Sequence, residues 1–210
     1  MYKDRELVKD KNAFRAFRQV PRELFLPEKY SSSAYSDHPL PLMNTGQTIS
    51  APHMTIMILE YLELRENLKV LEIGAGSGYQ AALIAAAISS NSNTTGHVYT
   101  IEIVPELVKF AKNNIKMASY DNIVTIIEGD GTKGHREESP YDRIIITAAG
   151  PKLPPPLIEQ LKIGGILVMP LGKPRSYQVM TKFRKLSESE VTQEVLSSVA
   201  FVPLRGEHGI

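Results

Sequence analysis

No cysteine occurs anywhere in the 210 residues. Disulfides, thiol nucleophiles and thiolate metal sites are excluded together. An excess of either charge is lacking too: 24 Lys and Arg against 23 Asp and Glu leave a formal +1, so bulk charge does not draw the chain to nucleic acid. No apolar run approaches the roughly 18 residues that a membrane span needs. The opening stretch MYKDRELVKDKNAF is charged throughout and has no apolar segment of the kind a secretory signal carries. The five histidines, His38, His53, His97, His135 and His208, are scattered, with no His-x-x-x-His spacing, and no metal site is expected. A soluble, cytoplasmic protein without membrane, nucleic-acid or metal partners is the expectation.

What is present is regular. The length suits one domain over residues 1–210 with a full hydrophobic core. Residues 1 to about 20 read as a helix with Phe14, Phe17 and Val20 on one face. Seven Lys and Arg fall within the first 22 residues, interleaved with Asp4, Glu6 and Asp10. They are read as a solvated face, an RNA-contacting face being the competing reading. Residues 27–49, with Pro27, Pro39, Pro41 and Gly46, read as a long loop of the kind that often binds ligands. A helix is expected at about 50–64. Strands follow at 68–73, 97–102, 123–128, 143–149 and 164–170, with helices at 79–88, from 105 to about 119, and near 155–162. Strands alternating with helices predict a doubly wound α/β fold, a mostly parallel sheet with helices on both faces. Residues 171–210 change to long β-rich runs, predicting an antiparallel pair at one sheet edge.

The segment VLEIGAGSGYQAALIA is the most informative. A strand ends at Ile73, and Gly74, Gly76 and Gly78 turn the chain into a helix. Such a turn lets a ligand approach the backbone at the carboxyl end of a strand, where doubly wound folds bind nucleotides. The spacing is Gly-x-Gly-x-Gly; the third glycine of a dinucleotide fingerprint would fall on Tyr79, and no Gly-Lys-Ser/Thr follows. Glu102 ends the next strand, where a carboxylate can accept ribose hydroxyls. With Glu72 just before the glycines, the pattern resembles class I S-adenosylmethionine-dependent methyltransferases. EGDG at 128–131 fits the same cofactor: Asp130 can accept from the adenine amino group, and the backbone at Gly131 can contact the ring. An ordinary Asp-Gly turn is the competing reading there. TAAG at 147–150 places Thr147 at the rim where the reacting group should sit, with tight packing as the alternative.

A closer resemblance runs from about residue 20 to 204. VPRELFLPEKY, AYSDHPLPL, GQTISAPHM, the glycine turn, GDG, YDRIIITAAGPKLPPPLIEQLKIGGILVMPLG and FVPL occur in one order. Together they resemble the protein-L-isoaspartate O-methyltransferases. The resemblance implies a seven-stranded sheet whose last two strands depart from the usual methyltransferase arrangement. It implies methyl transfer from S-adenosyl-L-methionine, leaving S-adenosyl-L-homocysteine, to the free α-carboxylate of isoaspartyl residues in damaged proteins and peptides. No metal is implied. On this reading residues 1–49 are an amino-terminal helix and substrate loop, 50–170 a cofactor-binding core, and 171–210 the β-rich edge. The resemblance maps an active-site serine onto Ser50; Gln47 and Thr48 are read on the same wall and His53 near the cofactor, a packing role being the competing reading for His53.

The missing base fits that chemistry. An α-carboxylate, with a pKa of about 3.5, is already ionised at neutral pH, so methylating it removes no proton. Ser50 also reads as a helix cap, with Pro52 early in the helix and Ile49 and Met54 at a staple spacing. Both roles are assigned to it, helix-end amides favouring the same anion. The competing readings are an S-adenosylmethionine-dependent RNA or small-molecule methyltransferase, a non-catalytic S-adenosylmethionine-binding protein, and a nicotinamide oxidoreductase, the last weakened by Tyr79. Residues 205–210 carry no reading.

Overall fold

A computed structural model of the chain describes residues 9–89, 94–173 and 176–210. The elements are helix α1 (Lys11–Gln19), hairpin strands β1 (Leu40–Leu42) and β2 (Gln47–Ile49), and α2 (Pro52–Tyr61). Then come β3 (Lys69–Ile73), α3 (Tyr79–Ile88), β4 (His97–Glu102), α4 (Pro105–Met117), β5 (Val124–Glu128), β6 (Tyr141–Ile146) and α5 (Pro155–Glu159). The long strands β7 (Leu161–Leu171), β8 (Gln178–Lys185) and β9 (Val191–Val199) close the order.

Seven strands form one sheet in the order β5-β4-β3-β6-β7-β8-β9. The first five run parallel, and β8 and β9 each pair antiparallel with the strand before them. The departure implied for the last two strands takes this form: they follow the fifth in chain order, each beside its predecessor. The order in which the chain adds strands reverses at β3, between β4 and β6, and opens the crevice that nucleotide-binding sheets use.

The two-residue period of the strands divides the core. Val70, Val98, Val124 and Ile145 face one cluster with α1 to α4, whereas Leu71, Ile73, Ile101, Ile144 and Ile146 face another with Leu157 of α5 and Leu204. Glu72 shares the parity of Val70 and is therefore carried under the helices. Every residue of α3 is buried. Its run of alanines keeps the helix thin enough to sit between the sheet and α1, and a helix apolar all round is one covered on all sides.

Three expectations need correction. The helix read for residues 1 to about 20 begins at Lys11, where the Asp10 side chain caps it by accepting from the Asn12 and Ala13 amides; residues 1–8 lie outside the described residues. The early basic residues are not all a solvated face. Arg15 donates to the Ala86 and Ala87 carbonyls at the end of α3, where a cation suits the helix dipole. Arg22 is wholly buried and donates to the carbonyls of Ala34 and Ser50 at 2.7 and 2.8 Å. Residues 27–49 are not a structureless loop either. They hold a 3-10 segment, Glu28–Ser33, and the β1–β2 hairpin, which buries Leu40, Leu42 and Ile49. Alternation over three-residue strands was too short to register as a period.

Candidate active site

The glycine turn is built as its sequence implies. Gly74, at φ 98°, carries the chain over the Thr147 side chain, and a Cβ there would stand 2.5 Å from the Thr147 hydroxyl oxygen. That hydroxyl donates to the Ile73 and Gly74 carbonyls, fastening the end of β6 to the turn. Gly78 starts α3 in the left-handed region, against Ile115 of α4. Glu102, at the end of β4, accepts the Gly76 amide at 2.8 Å and the Val104 amide at 3.0 Å. One carboxylate thus clamps the turn from the neighbouring strand and faces the same cleft.

Three cavities meet here. A cleft along the carboxyl ends of the strands is lined by Gly74, Gly76, Glu102, Gly131, Leu204 and Arg205, among others. A second cavity lies between α2 and the strand-like return of residues 198–202, with Ser50 and His53 on its α2 side. A third lies beneath the glycine turn and is lined by Ser50, Glu72, Ser77 and Gln80. Thr48 and Thr147 line all three. Cavities that share a rim are what a group transfer between two bound molecules requires, the reacting atoms being held in line at the junction.

Glu72 is completely buried. One carboxyl oxygen accepts the Thr100 hydroxyl at 2.5 Å, while Oε1 has no partner among the described residues. Burial pushes its carboxyl up to about 8; the Thr100 bond opposes this and the charge on Glu102 adds to it. Gln80, in the same cavity, also has a buried Oε1 without a partner. Two orphaned acceptors beside one cavity fit a ligand group that is a cationic donor, since a buried acceptor left without one is costly.

Other candidates fall elsewhere than expected. Ser50 does not cap α2. The cap position is Ala51, with no side-chain bond, and Pro52 is the first helical residue. The Ile49–Met54 staple is accordingly out of register by one. The Ser50 hydroxyl makes no hydrogen bond to the described residues. The helix-end amides are all engaged: Pro52 has none, His53 donates to Asp37, and Met54 and Thr55 donate to Ala51. His53 lines the cavity that holds Ser50, not the nucleotide cleft. The Asp130 side chain is turned toward the chain end. It accepts from the Thr132 amide and hydroxyl and from the Glu207 amide. Burial pushes its carboxyl up, but the Glu207 amide, the Thr132 donors and the Lys133 charge outweigh burial and hold it below the usual range.

Residues 205–210, unread in the sequence, fold back onto this loop. His208 donates its amide to the Thr132 hydroxyl, Lys133 pairs with Glu207 at 2.7 Å, and Ile210 closes on the Leu204 carbonyl. Ala149 exchanges hydrogen bonds with Val202 and Leu204, seating the return segment beside the end of β6. Arg205 and Asp37 were also missed. Neither belongs to a local pattern, because each reaches the site from a distant part of the chain. No group of three or more His, Asp or Glu side chains suited to a metal occurs among the described residues.

A parallel sheet with a glycine turn after its central strand, an acid ending the neighbouring strand and an antiparallel carboxyl-terminal pair is the architecture of Rossmann-like methyltransferases. A Plasmodium falciparum protein described as a protein-L-isoaspartate O-methyltransferase, crystallised with S-adenosyl-L-homocysteine, superposes with a TM-score of 0.85 over 97% of this chain and 94% of that one, at 28% identity. The chain belongs to the protein-L-isoaspartate(D-aspartate) O-methyltransferase family, whose sequence model matches residues 1–209. It is 47% identical over 205 residues to the protein-L-isoaspartate O-methyltransferase of Hyperthermus butylicus, covering 96% of this chain and 84% of that one. The corresponding Methanothermobacter thermautotrophicus protein is 46% identical over 206 residues, 98% of this chain and 92% of that one.

Proposed function

We propose that this chain transfers a methyl group from S-adenosyl-L-methionine to the free α-carboxylate of L-isoaspartyl residues in peptides and proteins, in the cytoplasm. The observation that carries the proposal is the meeting of the cavities at Thr48 and Thr147, where Ser50 borders both the cavity of His53 and the one beneath the glycine turn. Family membership supplies the reaction. The location is supported only by the lack, among the described residues, of a helix long and apolar enough to cross a membrane.

The acceptor oxygen arrives ionised, so the site needs alignment and not a base. When bound, S-adenosyl-L-methionine supplies a methyl group already activated by a sulfonium. In this reading Glu102 accepts from the ribose hydroxyls while holding Gly76. The backbone at Gly74, Gly76 and Gly131 borders the nucleotide, and Thr147 holds the turn in place. Glu72 Oε1 and Gln80 Oε1 receive the ammonium of the methionine part. Asp130 acts by holding the chain end that brings Arg205 to the cleft. The Ser50 hydroxyl, which has no partner among the described residues, donates to the acceptor carboxylate, with Thr48 and Gln47 on the adjoining wall.

One assay tests the reading against RNA or small-molecule methylation. Labelled S-adenosyl-L-methionine is supplied with two peptides that differ only in isoaspartate versus aspartate. A base-labile methyl ester is expected on the first and almost none on the second; equal labelling of both overturns the proposal.

A further inference from the structure

The cavity that Ser50 shares with His53 has an electrostatic problem. It is to receive a carboxylate, yet no Lys or Arg lines it, and the amides at the start of α2 are already engaged. Its one ionisable side chain is His53. The ring does not stand alone. Asp37, sixteen residues earlier, approaches His53 Nδ1 to 2.7 Å and accepts the His53 backbone amide through the same oxygen. An ionised carboxylate only accepts, so Nδ1 carries the proton and Nε2 is the remaining polar atom of the ring.

Charge then depends on one proton. With a neutral imidazole the Asp37–His53 pair carries a net −1 beside a cavity meant for an anion. With an imidazolium the pair is neutral overall, and Nε2 becomes a donor. A bound carboxylate therefore favours the protonated pair, and the protonated pair favours the carboxylate, by reciprocal linkage. The titratable groups on the ring's surroundings are few. Asp37 and His38 belong to the turn before β1, and the Arg22 guanidinium, which donates to the Ser50 carbonyl at 2.8 Å, lies behind the cavity wall and not in its lining. The cavity walls from β2, from Thr147 and from residues 198–202 contribute none among the described residues.

We propose that the Asp37–His53 pair is an acceptor-binding device of this site: His53 takes up a proton as the isoaspartyl carboxylate binds, and Asp37 orients the ring. The proposal rests on the methyl-transfer reading above. It moves His53 from the cofactor to the acceptor, and it makes Asp37 a positioning residue that caps α2 from outside the helix.

The test compares wild type, His53→Gln and Asp37→Asn in acceptor KM and kcat for an isoaspartyl peptide from pH 6 to pH 8.5. Calorimetry with S-adenosyl-L-homocysteine reports on the fold and on the cofactor site. Wild-type KM is expected to rise from pH 6 to pH 8.5. His53→Gln should raise KM about fivefold or more at pH 6, flatten its pH dependence, and leave S-adenosyl-L-homocysteine affinity and kcat within about twofold. Asp37→Asn keeps an oxygen for both donors but removes the negative charge. It should lower KM below wild type at pH 8.5, which a merely structural Asp37 would not do. A His53→Gln variant with the wild-type KM and pH profile overturns the proposal. So does one that binds the peptide normally but loses S-adenosyl-L-homocysteine. A wild-type protein that fails to methylate the peptide at all overturns the reaction itself, and that failure appears without any variant.

Discussion

Replacing Glu72 by Gln removes an ionisable group from the centre of the sheet without removing a side chain. An unfolded glutamate ionises near 4.5, whereas burial holds the proton on folded Glu72 up to about 8. Between those values the folded state binds more protons than the unfolded one. Its stability is thus complete below about 4.5 and falls as pH rises through the window. At about 1.4 kcal/mol per pH unit, the gap amounts to on the order of 5 kcal/mol at the alkaline end. Glutamine keeps an acceptor for the Thr100 hydroxyl and adds amide protons to a cavity containing the partnerless Gln80 Oε1. Denaturant unfolding of the cofactor-free proteins at pH 5.5, 7 and 8.5 measures the difference, and groups other than Glu72 cancel in it. The stability of Glu72→Gln relative to wild type should grow by on the order of 3 kcal/mol over that range. Saturating S-adenosyl-L-homocysteine should shrink the slope in wild type, its ammonium providing the missing donor. A difference that stays constant with pH would refute the reasoning, as it would mean that Glu72 is ionised throughout or reached by water.

Ser50→Ala should melt as wild type does, because the hydroxyl caps nothing, and should lose about ten- to a hundredfold in turnover, the worth of a hydrogen bond to a charged group; a folded variant with full turnover removes Ser50 from the acceptor site. Glu102→Ala loses the bonds to the Gly76 and Val104 amides and should weaken S-adenosyl-L-homocysteine binding at least tenfold by calorimetry. Unchanged affinity would show that the turn holds its shape unaided. Gly206, at φ 128°, lies so close to the Asp130 carboxylate that a Cβ would collide with it. Gly206→Ala should therefore lift the chain end from the 130–133 loop, costing about 1–3 kcal/mol and exposing residues 205–210 to carboxypeptidase. Wild-type melting and protease resistance would argue that the tail contacts contribute nothing.

Wherever a local period or a local exception operated, the sequence was readable. The parallel strands were legible because β3 to β7 are long enough for apolar runs to stand out, and the helices between them because Pro105 and Pro155 mark their starts. The glycine turn was legible because three glycines in five residues leave the backbone few other uses. Glu102 was found by its place at a strand end. The β1–β2 hairpin was not, since three residues a side carry almost no alternation. The cap of α2 was misread because a serine in front of Ala-Pro looks like one, while the acceptor of the His53 amide is Asp37, far outside any capping window.

The chain by itself therefore determined its elements, the position of the nucleotide crevice and, through its ordered motifs, its family. Only the tertiary structure decided which side chains meet. Arg22 is an ordinary surface candidate until folding buries it against Tyr79 and the Ser50 carbonyl. Glu72 is merely an acid before three glycines until two layers of helices exclude water from it. His53 meets Asp37 and lines a cavity with Ser50, outside the glycine-turn cleft, because a turn at residue 37 folds over α2. Local structure follows from interactions a few residues apart, which the sequence displays. Burial and pairing across tens of residues depend on where whole elements pack, and no short stretch of sequence records that.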